Sequence, residues 1–136
     1  MFKQMGGVMA VIKSFRDLEV YKLAMRQAQK IFLVTKGFPK DERYFLGGQL
    51  RRSSRAVGAM IAEAWARRKY PTVFVNKLDE ALGEANETQA WLDHALGCEY
   101  IDAKLHTELD DAWQHVGAML HKIIQQADTF CKSASG

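Results

Sequence analysis

Four stretches of this chain repeat apolar side chains at steps of three and four residues, and each is bounded by residues that start or stop a helix. That period turns one face of a helix toward a core and the other toward water, so the pattern predicts four amphipathic helices. The first runs from a Ser14 cap to about Lys36 along Leu18, Tyr21, Met25, Ala28 and Phe32, and Gly37, Phe38 and Pro39 stop it. The second starts near Asp41 or Glu42 and turns Leu46, Leu50, Ser53, Val57, Met60, Ile61 and Ala64 inward before the break at Tyr70 and Pro71. The third, from about Thr72 to Leu96, carries Phe74, Leu78, Ala81, Ala85, Thr88, Leu92 and Ala95 and ends at Gly97. The fourth opens on an Asp102 cap and follows Leu105, Leu109, Ala112, Val116, Met119, Ile123 and Ala127.

Long amphipathic helices joined by short loops predict an all-α fold, an up-down-up-down antiparallel four-helix bundle. The length of 136 residues suits one domain, and 2 prolines with 10 glycines leave little material for a turn-rich β fold. The expected limits are a flexible N-terminal segment over 1–13, the bundle over 14–130 and a disordered tail over 131–136, because both ends lack a periodic pattern. The apolar run in "MFKQMGGVMAVIK" is too short for a secretory signal or a membrane span, so a cytoplasmic protein is expected. Cys98 and Cys131 match no zinc or redox spacing and fall at opposite ends of such a bundle, which predicts two separate thiols.

Charge is segregated along the chain. Residues 1–70 hold 15 Lys and Arg against 5 Asp and Glu, and residues 71–136 hold 4 against 11, so the net +3 conceals halves of +10 and −7. The segment from Gln49 to Tyr70 is the extreme case: six cations, Arg51, Arg52, Arg55, Arg67, Arg68 and Lys69, with Glu63 as the single acid. Arg51, Arg52 and Arg55 fall opposite the apolar stripe of the second helix, and Lys22, Arg26 and Lys30 form a row on the first. Clustered arginines with few acidic neighbours suit phosphate groups. Surface ion pairs with Asp79, Glu80, Glu87, Asp110 and Asp111 of the acidic half are the competing use of the same charges. Trp65, Trp91 and Trp113 lie off the centres of their stripes, where either a subunit interface, the expected use, or the neighbouring side chains of the bundle itself would cover them.

No chemistry of catalysis is written in the chain. The Glu-x-x-His pairs of di-iron bundles, the two-histidine zinc-protease helix and a glycine-rich phosphate loop are all missing, so no catalytic residue, metal or cofactor is predicted. "LGGQL" at Leu46 to Leu50 reads as a close helix approach. Glu63 and Glu87 are read as structural polar residues that anchor an arginine or an interhelix hydrogen-bond network.

The segments "GFPKDERYFLGGQLRRSSRAVGAMIAEAWARR" and "KLDEALGEANETQAWLDHALGCEYI" resemble the four-helix-bundle family of 23S rRNA intervening-sequence proteins, over about Phe15 to Ile124. The matching residues are Phe38 and Pro39; Gln49, Leu50, Arg51 and Arg52; Ile61, Ala62 and Glu63; and Ala81, Gly83 and Glu87. Met60, Ala64 and Glu84 depart from the Asn, Gly and Ser usual in that family. The family is in turn similar to the accessory variability determinant of diversity-generating retroelements, a basic pentameric bundle that associates with a reverse transcriptase and with nucleic acid. The resemblance therefore implies a homopentamer, in which repeated weak patches gain avidity.

The expected function is a non-enzymatic, oligomeric nucleic-acid-binding or ribonucleoprotein-scaffold protein, with RNA or DNA held by Arg51, Arg52, Arg55, Arg67, Arg68 and Lys69 and assisted by Arg26 and Lys30. The alternative is an adaptor whose basic half docks an acidic protein partner such as a polymerase.

Overall fold

The computed structural model describes the backbone of residues 2–5 and 8–135 and the side chains of residues 11–132. Its elements are two short strands, β1 (Phe2–Met5) and β2 (Val8–Val11), and five helices: α1 (Glu19–Thr35), α2 (Leu46–Ala66), α3 (Pro71–Gly97), α4 (Ala103–Gln125) and α5 (Ala127–Ser135). α1 packs on α2, α2 on α3, α3 on α4 and α4 back on α1, so the four long helices close around one core in a helical bundle. Among the described residues no helix is long and apolar enough to cross a membrane.

Local chemistry sets the helix ends. Ser14 and Asp17 form a reciprocal capping box, but around a single 3-10 turn over Phe15–Asp17; α1 itself begins after Leu18, whose extended backbone breaks the helix. Pro71 opens α3, where a missing N–H costs nothing, and Asp102 caps α4 by accepting from the Leu105 N–H at 2.8 Å. α3 closes in a Schellman motif: the Tyr100 N–H donates to the Ala95 carbonyl and the Glu99 N–H to that of Leu96, both at 2.9 Å. The left-handed residue of that motif is Glu99, at φ 61°, and the anticipated stop, Gly97, is still helical.

Three further boundaries differ from the sequence reading. α2 starts at Leu46, because residues 40–45 form turns pinned by buried Phe38, whose carbonyl accepts from Arg43 Nε at 3.0 Å. The N-terminal stretch anticipated as flexible includes the antiparallel pairing of β1 with β2, Phe2 opposite Val11 and Met5 opposite Val8. At the other end, the fourth helix breaks at Gln126 and α5 runs through most of the anticipated tail, burying Phe130 and Cys131. Residues 1, 6, 7 and 136 lie outside the described residues.

The buried stripes of α2 and α3 are those the periodicity marks, except that Met60 is half-buried. The stripes of α1 and α4 are rotated by one position. In α1 the buried residues are Val20, Ala24, Gln27, Ala28, Ile31 and Thr35, while Tyr21 and Phe32 are half-buried flanks and Met25 is exposed. In α4 they are Leu109, Trp113, Val116 and Leu120. α1 carries two adjacent apolar rows, and the smaller-residue one faces the core because Ala24 and Ala28 permit close helix approach. Cys98 lies beside Phe45 and Leu46 at the start of α2 and Cys131 near Arg68 at its end, so the two thiols are separated by the length of that helix, about 30 Å.

Candidate nucleic-acid interface

The cations of α2 divide according to which neighbouring helix they meet. Arg51 and Arg55 lie on the α1 side, their guanidinium carbons 5.2 and 5.5 Å from the centre of the Phe32 ring, and the Lys36 ammonium is 4.6 Å from the same ring. An aromatic face attracts cations, so Phe32 gathers three positive groups that would otherwise repel one another. Arg51 is further held by its Nε–H, which donates to Thr35 Oγ1 at 2.8 Å. Thr35 is buried, and its own hydroxyl donates to the Phe32 carbonyl at 3.0 Å. Arg26 and Lys30, one helical turn apart, are exposed on α1.

Arg52 is different, although it is adjacent to Arg51 in the chain. It crosses to α3, donates to Glu84 at 3.2 Å and to Glu87, and receives support from Gln49 Oε1 at 3.1 Å. The bond to Glu87 chiefly raises the pKa of Arg52. Burial pushes the Glu87 carboxyl up, but hydrogen bonds from Arg52 and from the Trp91 indole N–H, at 3.1 Å, outweigh it and hold the group below the ordinary glutamate range. Arg52 is thus compensated by two carboxylates, Glu84 and Glu87. Of the acids expected to pair with the basic half, Glu87 does so directly. Glu63 is exposed and pairs across α2 and α3 with Lys77, at 3.2 Å.

The end of α2 forms a separate group. Arg68 lies with its guanidinium carbon 3.5 Å from the centre of the Trp65 ring and donates through Nε to the Trp65 carbonyl at 2.9 Å. Burial there lowers its pKa from the ordinary arginine value. Arg67 and Lys69 are exposed beside it. The cations therefore form a cluster around Phe32, an ion-pair network at Arg52 and a pair of exposed charges flanking Arg68.

The three tryptophans do not form one exposed row. Trp113 has no accessible surface and belongs to the core, and Trp65 is buried under Arg68. Only Trp91 is half-buried, lining a groove of about 330 Å³ with Glu42, Phe45, Leu46, Gln49, His94 and Cys98. The expectation that all three lie at a subunit surface is corrected for Trp113 and Trp65, because the α4 stripe is rotated and a cation covers the second ring.

Sequence reasoning started the second helix near Asp41 or Glu42 and so passed over a second basic feature. Lys40, Arg43, Tyr44 and Arg51 line a pocket of about 280 Å³ at the corner where α1 ends. Tyr44 and Phe45 beside it are among the most exposed large side chains described, at 82% and 70%. The signal available in the sequence was Lys40 and Arg43 flanking Asp41 and Glu42 after a Phe-Pro stop, a pattern equally typical of a helix start.

For metal binding, donor atoms of Asp93, His106 and Asp110 lie within 4.8 Å of one another. His106 Nε2 sits 2.8 Å from Asp93 Oδ1, and Gln89 donates to Asp110 at 3.2 Å, so these groups already satisfy each other without an ion.

The 23S rRNA-intervening sequence protein family profile matches residues 16–122. The chain belongs to that family. A crystal structure of an S23 ribosomal protein family member from Bacteroides thetaiotaomicron, itself described as having unknown function, is similar to it at 29% identity and a TM-score of 0.71, over 78% of this chain and 95% of that one. No curated protein matches the chain. The 23S rRNA-intervening sequence match spans every long helix nearly end to end, including the Phe32 cluster, the Arg52 network and the basic corner at residues 40–44. The paired strands β1 and β2 and helix α5 lie outside it.

Proposed function

We propose that this protein is a non-enzymatic nucleic-acid-binding or ribonucleoprotein-scaffold protein whose contact surface is the α1–α2 face. The observation that carries the reading is the cluster of Lys36, Arg51 and Arg55 around Phe32, to which the structure gives no carboxylate partner among the described residues, beside an Arg52 paired with two carboxylates. Cations without carboxylate partners remain available to phosphates, whereas Arg52 would have to break two ion pairs first. The reading includes an up-down-up-down helix order and assembly into a pentamer in a reducing cytoplasm, where each subunit repeats the patch and later contacts form at high effective concentration.

The test is binding of a structured RNA and a duplex DNA across a salt series. Replacing Arg51 and Arg55 together with alanine lowers affinity and flattens the salt dependence by a slope of about 2, while Arg52→Ala leaves the slope unchanged. An unchanged slope in the double variant, or no binding by the wild type, overturns the proposal.

Exposed Tyr44, Phe45 and Leu33 favour a second reading, because aromatic side chains beside arginines are typical of protein interfaces. In that reading the basic half docks an acidic partner such as a polymerase, and salt-sensitive capture of an acidic protein without any RNA or DNA affinity is its signature.

A further inference from the structure

The pocket lined by Lys40, Arg43, Tyr44 and Arg51 carries a more specific inference. Both of its arginines are fixed through Nε: Arg43 donates to the Phe38 carbonyl at 3.0 Å and Arg51 to the Thr35 hydroxyl at 2.8 Å. Both acceptors belong to buried residues, Phe38 at 1% and Thr35 at 0% exposure. Anchoring a guanidinium through Nε leaves its terminal amino groups free to donate and removes much of the rotamer freedom that binding would otherwise have to freeze. Lys40 adds a third charge, and no carboxylate lines the pocket. Glu42, in the same turn, lines the groove of Trp91 and Phe45 instead.

Tyr44 completes the arrangement. It lines the same pocket and is 82% exposed, so nothing in the subunit covers its ring. An uncovered aromatic ring against a fixed cationic pocket suits a nucleotide whose base is free to stack and whose phosphate is within reach of the cations; a base inside a duplex cannot offer its face.

We infer that this corner is a binding site for an unpaired nucleotide, with the phosphate held by Lys40, Arg43 and Arg51 and the base stacked on Tyr44. The inference rests on the nucleic-acid reading above and deepens it: the Phe32 cluster supplies contacts indifferent to strandedness, and the corner supplies a preference for single strands. Thr35 is a positioning residue here, acting through Arg51.

The test compares a short fluorescent oligouridylate, an oligothymidylate of equal length and a duplex of equal length at one salt concentration. Tyr44→Ala weakens binding of both single strands by about fivefold or more and leaves the duplex within about twofold, while Tyr44→Phe retains wild-type affinity because the ring remains. Arg43→Ala and Thr35→Val also weaken the single strands, with circular dichroism confirming that each variant is folded. A difference between the uridylate and thymidylate arms assigns the site to RNA or to DNA. Single-strand binding that survives Tyr44→Ala and Arg43→Ala overturns the site but leaves the broader reading standing; wild-type protein that binds none of the three probes overturns both.

Discussion

The hydroxyls of Ser53 on α2 and Thr88 on α3 lie 2.8 Å apart in the buried contact between the two helices. Thr88 donates to the Glu84 carbonyl at 2.9 Å, so Ser53 is the donor across the interface. A buried polar group is costly only when it loses its partner. Thr88→Val strands the Ser53 hydroxyl and destabilises by about 1–3 kcal/mol, whereas Ser53→Ala with Thr88→Val together comes close to neutral. Urea unfolding of both singles and the double, read as a cycle, should yield a coupling of about 1–3 kcal/mol. Additive effects would show that the contact contributes nothing specific.

Gly47 and Gly48 are adjacent in sequence and opposite in consequence. A methyl group on Gly47 would come 3.0 Å from the Glu42 carbonyl and 3.4 Å from Thr35 Cβ, while one on Gly48 meets nothing within 4 Å. Gly47→Ala therefore lowers the melting temperature, and Gly48→Ala raises stability by about 0.5–1 kcal/mol through helix propensity. Equal effects at the two positions would contradict the packing at this corner.

Glu99 holds the left-handed position that closes α3. Glycine adopts that conformation without a Cβ penalty, so Glu99→Gly stabilises the protein by about 1 kcal/mol. Thermal unfolding measures it directly; a loss of stability would mean that the Glu99 side chain contributes more than its backbone costs.

Trp113 separates a core role from an interface role. With no exposed surface, its truncation to alanine destabilises by about 3–5 kcal/mol. The indole N–H has no hydrogen-bond partner among the described residues, so Trp113→Phe costs far less. Weaker subunit association with an unchanged unfolding midpoint for the alanine variant is the result that would return Trp113 to a surface.

The Glu87 carboxyl is held below its ordinary range in the fold, so its contribution to stability is present above the unfolded-state pKa and is lost as pH falls through the lower folded value. Wild-type protein loses more stability than Glu87→Gln between neutral pH and the acid side of the glutamate range. The difference is small, about 1 kcal/mol or less, because the network is partly solvated. Parallel pH profiles would show that the Arg52–Glu87 pair is energetically silent.

Much of the scaffold was legible from residue order alone. The spacing of Leu50, Val57 and Ile61, and of Phe74, Leu78, Ala81 and Ala85, marks faces that are buried, because each helix there has one dominant apolar stripe. Where two stripes compete, as in α1 with Ala24 beside Met25 and in α4 with Trp113 beside Ala112, periodicity cannot choose, and the packing partner does. The turn at residues 40–45 was hidden for a related reason: its charges and Pro39 equally describe a helix start, and only the seating of Phe38 in the core keeps the chain from winding until Leu46.

The sequence by itself determined the four long helices, the buried faces of α2 and α3 and the separation of positive from negative halves, since each is a property of neighbouring residues or of composition. Tertiary structure decided what each charge does. Arg51 and Arg52 are consecutive, yet a rotation of about 100° between neighbours on a helix sends one toward Phe32 and Thr35 of α1 and the other toward Glu84 and Glu87 of α3. Their partners are far away in the chain, and only the packing of three helices brings them within hydrogen-bonding distance.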